Sequence, residues 1–445
     1  MKQESSCINR REFLKLASVG AAVMTTSVLP LPALAAAKGN EVGSGPVSMS
    51  EIQLAAKRLK GNIRRTPVVA AGQLSKYTGV DLYLKLESMQ YTGSFKERGA
   101  LNKMSVMTKT ERARGVIAAS TGNHAQGVAY HATRLGIPST IVMPRGTPNM
   151  KVSHTRDLGA TVVIHGDSFD DALAFALNKA STEGLTFIHP FEDPLIICGQ
   201  GTVGLEIMQD LPDLDVLVVP VGGGGIISGC ATAAKAIKPS LKIYGVEAKN
   251  YSAMRQRLHG QPAVTGGETL AEGIAVHNVG DRTFSIIKKL VDDVLTVKEE
   301  SIEKAISLLF EDRKIVSEGA GAVGVAACIE HGELFKGKKV AAAITGGNID
   351  SRMFATLLDR NLARQGKLVN LRVVSPGQGD IYPKISELLA KNNASVVNLS
   401  YDQVFHAASA KSPSYTLVLE TQDMSHAEQL VKDFCANGFQ AELIK

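Results

Sequence analysis

The chain predicts an α/β protein whose strands form parallel sheets, followed by a small tail unit of βαββαβ order. Three observations carry this. Short apolar runs alternate with helical patterns over about three hundred residues, the rhythm of strands joined by crossover helices. Several of those runs are continuously apolar rather than alternating, as strands buried on both faces require. Near Arg364-Gln365-Gly366 the rhythm changes to paired strands.

Taken in order, the predicted strands are Asp81–Glu87, Gly115–Ser120, Thr140–Pro144, Thr161–Gly166, Asp215–Val221, Lys242–Glu247, Asp293–Val297 and Lys339–Thr345. Helical patterns lie between them, among them Gln126–Leu135, Asp170–Glu183 and Ser301–Glu311. From Lys367 the order is strand Leu368–Ser375, helix Pro383–Asn393, strands Ser395–Val404 and Ser414–Gln422, helix Ser425–Asn437 and strand Gln440–Ile444. That is a ferredoxin-like split unit.

Ahead of all this stands Asn9-Arg10-Arg11-Glu12-Phe13-Leu14-Lys15, then a mildly apolar stretch from Leu16 to Leu31, then Pro32-Ala33-Leu34-Ala35-Ala36-Ala37. A charged start, a modest apolar centre and a small-residue end describe an export signal, and the paired arginines resemble the twin-arginine type. An amphipathic or membrane-anchoring helix is the plainer alternative, though Gly, Ser and Pro make a poor span. The chain therefore divides into a signal at 1–37, a larger unit at 38–365 and a tail at 366–445, and the expected location is the periplasm.

Composition excludes several classes. With 445 residues, 44% hydrophobic and 21% charged, the chain is globular rather than disordered. A net charge of +6 at this length, with no basic run interleaved with aromatics, does not point to nucleic acid. The five cysteines stand singly, without a Cys-x-x-Cys pair, so neither a zinc site nor a disulfide framework is expected. No stretch is long and apolar enough for a confident membrane span.

Four turns carry chemistry. After the strand ending at Glu87, Tyr91-Thr92-Gly93-Ser94-Phe95-Lys96 leads into a helix. The positive end of a helix dipole disfavours a cation there and favours a neutral, nucleophilic amine. A solvated lysine after a turn is the bland reading. Ser120-Thr121-Gly122-Asn123-His124 follows the strand Gly115–Ala119 and offers hydroxyls and backbone N–H groups to an anion such as a carboxylate, or merely caps a helix. His124 alone reads as well as a structural histidine.

Val216 to Val221 runs into Gly222-Gly223-Gly224-Gly225-Ile226, where the backbone is free to wrap a phosphate at a helix start. It matches neither the dinucleotide nor the nucleoside-triphosphate glycine pattern. Ala341 to Ile344 ends in Thr345-Gly346-Gly347-Asn348, setting a hydroxyl at the sheet edge where ligands bind in open α/β folds. Each turn is weak alone. Together they suit a phosphate-bearing aldehyde cofactor held by an amine.

Those motifs, with His189-Pro190-Phe191-Glu192-Asp193-Pro194 and Gly199-Gln200-Gly201-Thr202, resemble threonine dehydratase (threonine ammonia-lyase) of the fold type II pyridoxal-phosphate enzymes. The resemblance spans roughly Glu51 to Arg364 and implies a tryptophan synthase β-like catalytic unit with two subdomains. It implies pyridoxal 5'-phosphate held by Lys96, which also serves as the base at Cα. Phe95 would back the ring, Asn123 would bond its phenolic oxygen, Gly222, Gly223, Gly224, Gly225 and Ile226 would bind the phosphate, and Thr345 would meet the ring nitrogen. Ser120, Thr121, Asn123 and His124 would surround the substrate carboxylate.

The implied reaction is β-elimination of L-threonine to 2-oxobutyrate and ammonia, or of L-serine to pyruvate, by a homo-tetramer or homo-dimer. Thr121 stands where typical threonine dehydratases have alanine, and serine racemase has a hydroxyl there. Serine racemase or hydroxyaspartate ammonia-lyase is thus the alternative on the same scaffold. Ala248-Lys249-Asn250-Tyr251-Ser252-Ala253 lacks the second acid of the racemase cation site, so no metal is expected. The tail resembles the ACT regulatory domain, with Pro376-Gly377 in place of the usual Asp-x-Pro-Gly turn. Effector binding and subunit association are its two readings.

Overall fold

The computed structural model describes residues 47–374, 381–402 and 414–444. The signal reading at 1–37 lies outside the described residues, as does the Pro376-Gly377 turn.

Strands of the larger unit are β1 (Val68–Ala70), β2 (Asp81–Leu86), β3 (Val116–Ala119), β4 (Ser139–Met143), β5 (Thr161–Ile164), β6 (Thr186–Phe187), β7 (Val216–Pro220), β8 (Lys242–Ala248), β9 (Asp293–Val297) and β10 (Lys339–Ile344). They form a six-stranded sheet of order β1-β2-β10-β7-β8-β9 and a four-stranded sheet of order β5-β4-β3-β6. Every pair is parallel except β1 with β2. All eight predicted strands are present. The additional β1 and β6 hold only 3 and 2 residues, too few for a periodic signal.

Alternation across the central strands explains why these runs read as continuously apolar. Val216 and Val218 of β7 face one core, packed on helices Glu299–Arg313 and Gly319–Glu330. Leu217 and Val219 face the other, packed on helices Pro194–Asp210 and Gly225–Ile237. Burial on both sides removes any polar face. The smaller sheet repeats the plan, with Val116 and Ala118 against helices Lys96–Ser105 and Asn123–Arg134, and Ile117 and Ala119 against helix Phe169–Glu183.

The predicted helix Gln126–Leu135 begins earlier, at Asn123, because the turn after β3 closes within Ser120–Gly122. Asn123 and His124 are therefore first-turn helix residues rather than loop residues.

Between β2 and the helices of both lobes lies a buried ionic network. Arg98 meets Glu87 through Nε and Nη2, each at 2.7 Å, and Glu206 through Nη1 at 2.8 Å and Nη2 at 2.9 Å. Lys85 Nζ donates to Glu206 at 2.5 Å and to the Thr66 carbonyl at 2.7 Å. Two cations and two carboxylates balance, and each is hydrogen-bonded, the condition under which buried charge is tolerated.

The tail has β11 (Leu368–Val374), β12 (Ser395–Asp402), β13 (Ser414–Glu420) and β14 (Gln440–Ile444) in an antiparallel sheet of order β12-β13-β11-β14. Helices Tyr382–Lys391 and Met424–Ala436 bury Leu388, Leu389, Leu430 and Phe434 against Leu371, Val373, Leu417 and Leu419. This is the expected βαββαβ unit. It joins the larger unit through helix Ser351–Arg364, and Thr421 N donates to the Lys367 carbonyl at 2.9 Å just past the joint. Arg360 and Arg364 of that helix pair with Glu303 on helix Glu299–Arg313. Among the described residues no helix is long and apolar enough to cross a membrane.

Candidate active site

Parallel strands deliver their C-terminal ends to one edge, and the turns after β2, β3, β7 and β10 meet in the cleft between the two sheets. The chain crosses between lobes at Phe95 and Lys96. Phe95 packs on the large-sheet core, whereas Ala100, one turn along the same helix, belongs to the small-sheet core. Lys96 is the first residue of helix Lys96–Ser105, half-buried, with Nζ 5.3 Å from the Phe95 ring centroid.

Lys96 Nζ donates to the Pro190 carbonyl at 3.0 Å. Burial pushes its amine down to about 8, against an opposing pull from the Glu318 carboxylate. Desolvation is thus the main cause of the neutral-amine tendency that the helix start suggested. The turn before it is stapled by buried Glu97, whose carboxylate accepts from Thr92 N at 3.0 Å, Thr92 Oγ1 at 2.9 Å and Tyr91 N at 3.3 Å.

Phe191 links the lysine to the glycine turn. A Cβ at Gly223 would stand 2.2 Å from the Phe191 ring, so no side chain fits there. Gly223 O accepts from Thr283 Oγ1 at 2.7 Å, which pins the turn from the far side. Gly225 then opens helix Gly225–Ile237, whose first N–H groups lack helical partners and suit an anion. Gly222, Gly224 and Ile226 complete a cradle of backbone beside Lys96.

From β10, buried Thr345 carries its hydroxyl to the same edge, donating to Ala320 O at 3.4 Å, while its carbonyl accepts from Phe95 N at 3.1 Å. The small lobe supplies Ser120, Thr121 and Asn123 at the start of helix Asn123–Arg134. His124 follows in the first turn of that helix. It is buried, Nε2 lies 2.8 Å from the Ile188 carbonyl, and burial pushes its pKa down to about 3, so it brings no positive charge.

Two residues of the site were absent from the sequence-derived set. Glu318 Oε1 accepts from Asn123 Nδ2 at 2.6 Å, and burial pushes this carboxyl up to about 7. Asn348 Nδ2 donates to Asn123 Oδ1 at 2.7 Å. Glu247, at the end of the strand where a cation site was considered, instead accepts from Met254 N and Arg255 N, each at 2.9 Å, and starts the next helix. Among the described residues no group of three or more potential metal ligands assembles.

The arrangement fits a phosphorylated aldehyde cofactor. An amine inclined to be neutral, a side-chain-free anion cradle and a lone hydroxyl share one cleft. Ser94 Oγ and His124 Nδ1 are buried there without a hydrogen-bond partner among the described residues.

Comparison with known proteins agrees. A family model described as "Pyridoxal-phosphate dependent enzyme" matches residues 59–346. An L-threonine ammonia-lyase of Thermotoga maritima is 44% identical over 405 residues, covering 89% of this chain and 100% of that protein. Among solved structures, the processed form of threonine deaminase isoform 2 from Solanum lycopersicum superposes with a TM-score of 0.65 at 36% identity, over 72% of this chain and 96% of that one. Maize serine racemase gives 0.67 at 32% identity, over 72% and 99%. The chain belongs to the pyridoxal-phosphate dependent enzyme family.

Proposed function

We propose that this chain is a threonine ammonia-lyase, converting L-threonine to 2-oxobutyrate and ammonia and L-serine to pyruvate. The observation that carries it is the convergence on one cleft of Lys96, the Gly222–Gly225 cradle and the hydroxyl-bearing start of helix Asn123–Arg134. Relatives named for this activity support the same reading over most of the chain.

Lys96 would hold pyridoxal phosphate, the glycine cradle with Ile226 its phosphate, Thr345 its ring nitrogen, and Phe95 and Asn123 its ring face and phenolic oxygen. When bound, the cofactor supplies an electron sink for the charge left at Cα. The chain does the rest. Hydroxyls of Ser120 and Thr121, with the first N–H groups of helix Asn123–Arg134, grip the substrate carboxylate. Lys96 Nζ takes the Cα proton, which its neutral form alone is able to do. The electron pair left at Cα forms the Cα=Cβ double bond as the Cβ–O bond breaks, the β-hydroxyl takes up a proton and leaves as water, and a second water converts the resulting enamine to the oxo acid and ammonia. A hydroxyl opposite the ring nitrogen, where a carboxylate would keep that nitrogen protonated, favours prompt elimination.

Thr121 supports racemase side activity as a second reading, since it offers a hydroxyl at the position where serine racemase carries one. We also read the tail as an ACT-like regulatory unit, supported by its strand order and by a relative that matches 89% of the chain, and the leader as twin-arginine export to the periplasm. Purified protein given L-threonine and L-serine, with 2-oxo acids assayed beside chiral analysis of serine, tests the central reading. Oxo-acid release confined to protein with intact Lys96 supports it. D-serine without oxo acid establishes the racemase instead.

A further inference from the structure

The Asn123 side-chain amide is fastened at both ends. Nδ2 donates to Glu318 Oε1 at 2.6 Å, although the two residues are 195 apart in sequence. Oδ1 accepts from Asn348 Nδ2 at 2.7 Å. Asn348 Nδ2 also donates to the Thr92 carbonyl at 2.8 Å, on the turn that carries Lys96, and reaches Gln126 Oε1 at 3.3 Å. A flipped Asn123 amide would set its oxygen against the Glu318 carboxylate and its N–H groups against those of Asn348, losing both bonds at once. One orientation survives, and in it the second Nδ2 hydrogen has no acceptor among the described residues.

Glu318 is built for this contact. It immediately precedes helix Gly319–Glu330, where an acid would ordinarily turn back to cap the first N–H groups, but it makes no such cap. Its carboxylate turns across the cleft instead. Space for it exists because residue 346 is glycine, where a Cβ would stand 2.3 Å from Glu318 Oε1. The charged groups that face it are Lys96, Lys151 from helix Asn149–Asp157 and Glu272, with Lys151 and Glu272 paired to each other at 2.8 Å.

We propose that Glu318 is a positioning residue of the reaction: acting through Asn123, it holds one amide N–H for the cofactor, and its charge balances that of Lys96 across the cleft. This rests on the cofactor reading above. Glu318→Gln keeps an acceptor for Asn123 and removes the charge. Glu318→Ala removes both.

The test is uptake of pyridoxal phosphate by full-length apoprotein, followed by absorbance between pH 6 and 9, with kcat and KM for L-threonine measured alongside. Loss of a neighbouring carboxylate lets Lys96 shed its proton more readily, so Glu318→Gln moves the midpoint of uptake to lower pH while affinity changes less than about threefold. Glu318→Ala lowers affinity about tenfold and kcat more than KM. In an Asn123→Ala background the same Glu318→Ala change costs no further affinity, as expected for a residue that acts through Asn123.

An unmoved midpoint in Glu318→Gln, or an undiminished cost of Glu318→Ala in the double variant, overturns the proposal. Should Glu318→Ala fail to fold, the midpoint in Glu318→Gln decides alone. Wild-type protein that takes up no cofactor would overturn the functional reading itself. Wild-type uptake matched by every variant would overturn only the role of Glu318.

Discussion

The two lobes contribute to the cleft in different currencies. The six-stranded lobe offers mostly backbone: the Gly222–Gly225 turn, the N–H groups of helix Gly225–Ile237, and one buried hydroxyl on Thr345. The four-stranded lobe offers side chains: Ser120 and Thr121 in the turn before a helix, and Asn123 as its first residue. Backbone pinned by Phe191 and Thr283 has no freedom to adapt, which suits a cofactor that stays. Side chains on a separate lobe suit a substrate that arrives and leaves. Lys96 stands at the crossing, on a helix of the small core but next to a phenylalanine of the large one.

That contrast is open to attack at several strengths. Replacing the residue at the crossing has the largest effect. Lys96→Ala removes both tether and base, and turnover of L-threonine falls by about 10⁴-fold or more while near-ultraviolet circular dichroism stays native. If turnover drops less than about a hundredfold, Lys96 is not the base.

Next comes the ionic network behind the crossing. Arg98→Met leaves Glu87 buried beside Lys85 alone, and unfolding in urea should show a loss of about 3–5 kcal/mol. Cofactor affinity in the protein that remains folded should change little, since no member of the network lines the cleft. A loss below about 1 kcal/mol would mean that the network is better solvated than its burial indicates.

The large lobe's rigidity is sharpened by Gly223→Ala. The new methyl meets the Phe191 ring, and an overpacking cost of about 1–3 kcal/mol, if borne wholly by the loaded cradle, corresponds to roughly fivefold to 150-fold weaker cofactor binding. Thr121→Ala on the small lobe should leave cofactor binding alone and act on L-serine racemisation instead.

Acidity sets the next effect. With the Lys96 amine near 8, its neutral fraction rises about tenfold per pH unit below that midpoint and levels above it. Cofactor uptake by apoprotein should follow that curve upward with pH. His124, neutral with its pKa pushed down to about 3, should add no limb between pH 5 and 8. A second inflection near 6.5 that vanishes in His124→Asn would show that His124 titrates after all.

Smallest is the exposed ion pair that faces Glu318. Lys151 and Glu272 meet at 2.8 Å but are exposed, so Lys151→Ala should shift KM by less than about threefold, and raised salt should erase the difference.

Much of this was legible in the chain itself, for identifiable reasons. The glycine run and Thr345 directly follow buried strands, and Lys96 opens the helix after the turn that follows another, so local order alone places them at a sheet edge. The tail's helix and strand order was equally local. What escaped is non-local or short. Glu318 meets Asn123 across 195 residues, and no local pattern reports that. The available hint was an acid standing directly before the apolar run Gly319-Ala320-Gly321-Ala322, where a lone charge needs a reason. Arg98 was visible in the lysine motif, but its partner Glu206 lies 108 residues on. The Ile188 carbonyl that meets His124 Nε2 lies 64 residues on and is equally unannounced.

Helix Ser351–Arg364 has a mechanical consequence. It starts three residues after Asn348, capped by Asp350, and ends at Arg364, just before Gly366, whose positive φ of 67° turns the chain into the tail sheet. Its 14 residues make a rod of about 21 Å. Arg360 and Arg364 bolt that rod to Glu303, on the helix that runs toward Glu318. The tail is therefore mounted on a strut rather than hung from a tether. The tail sheet is thus tied to the two helical segments that flank the residues holding the Asn123 amide.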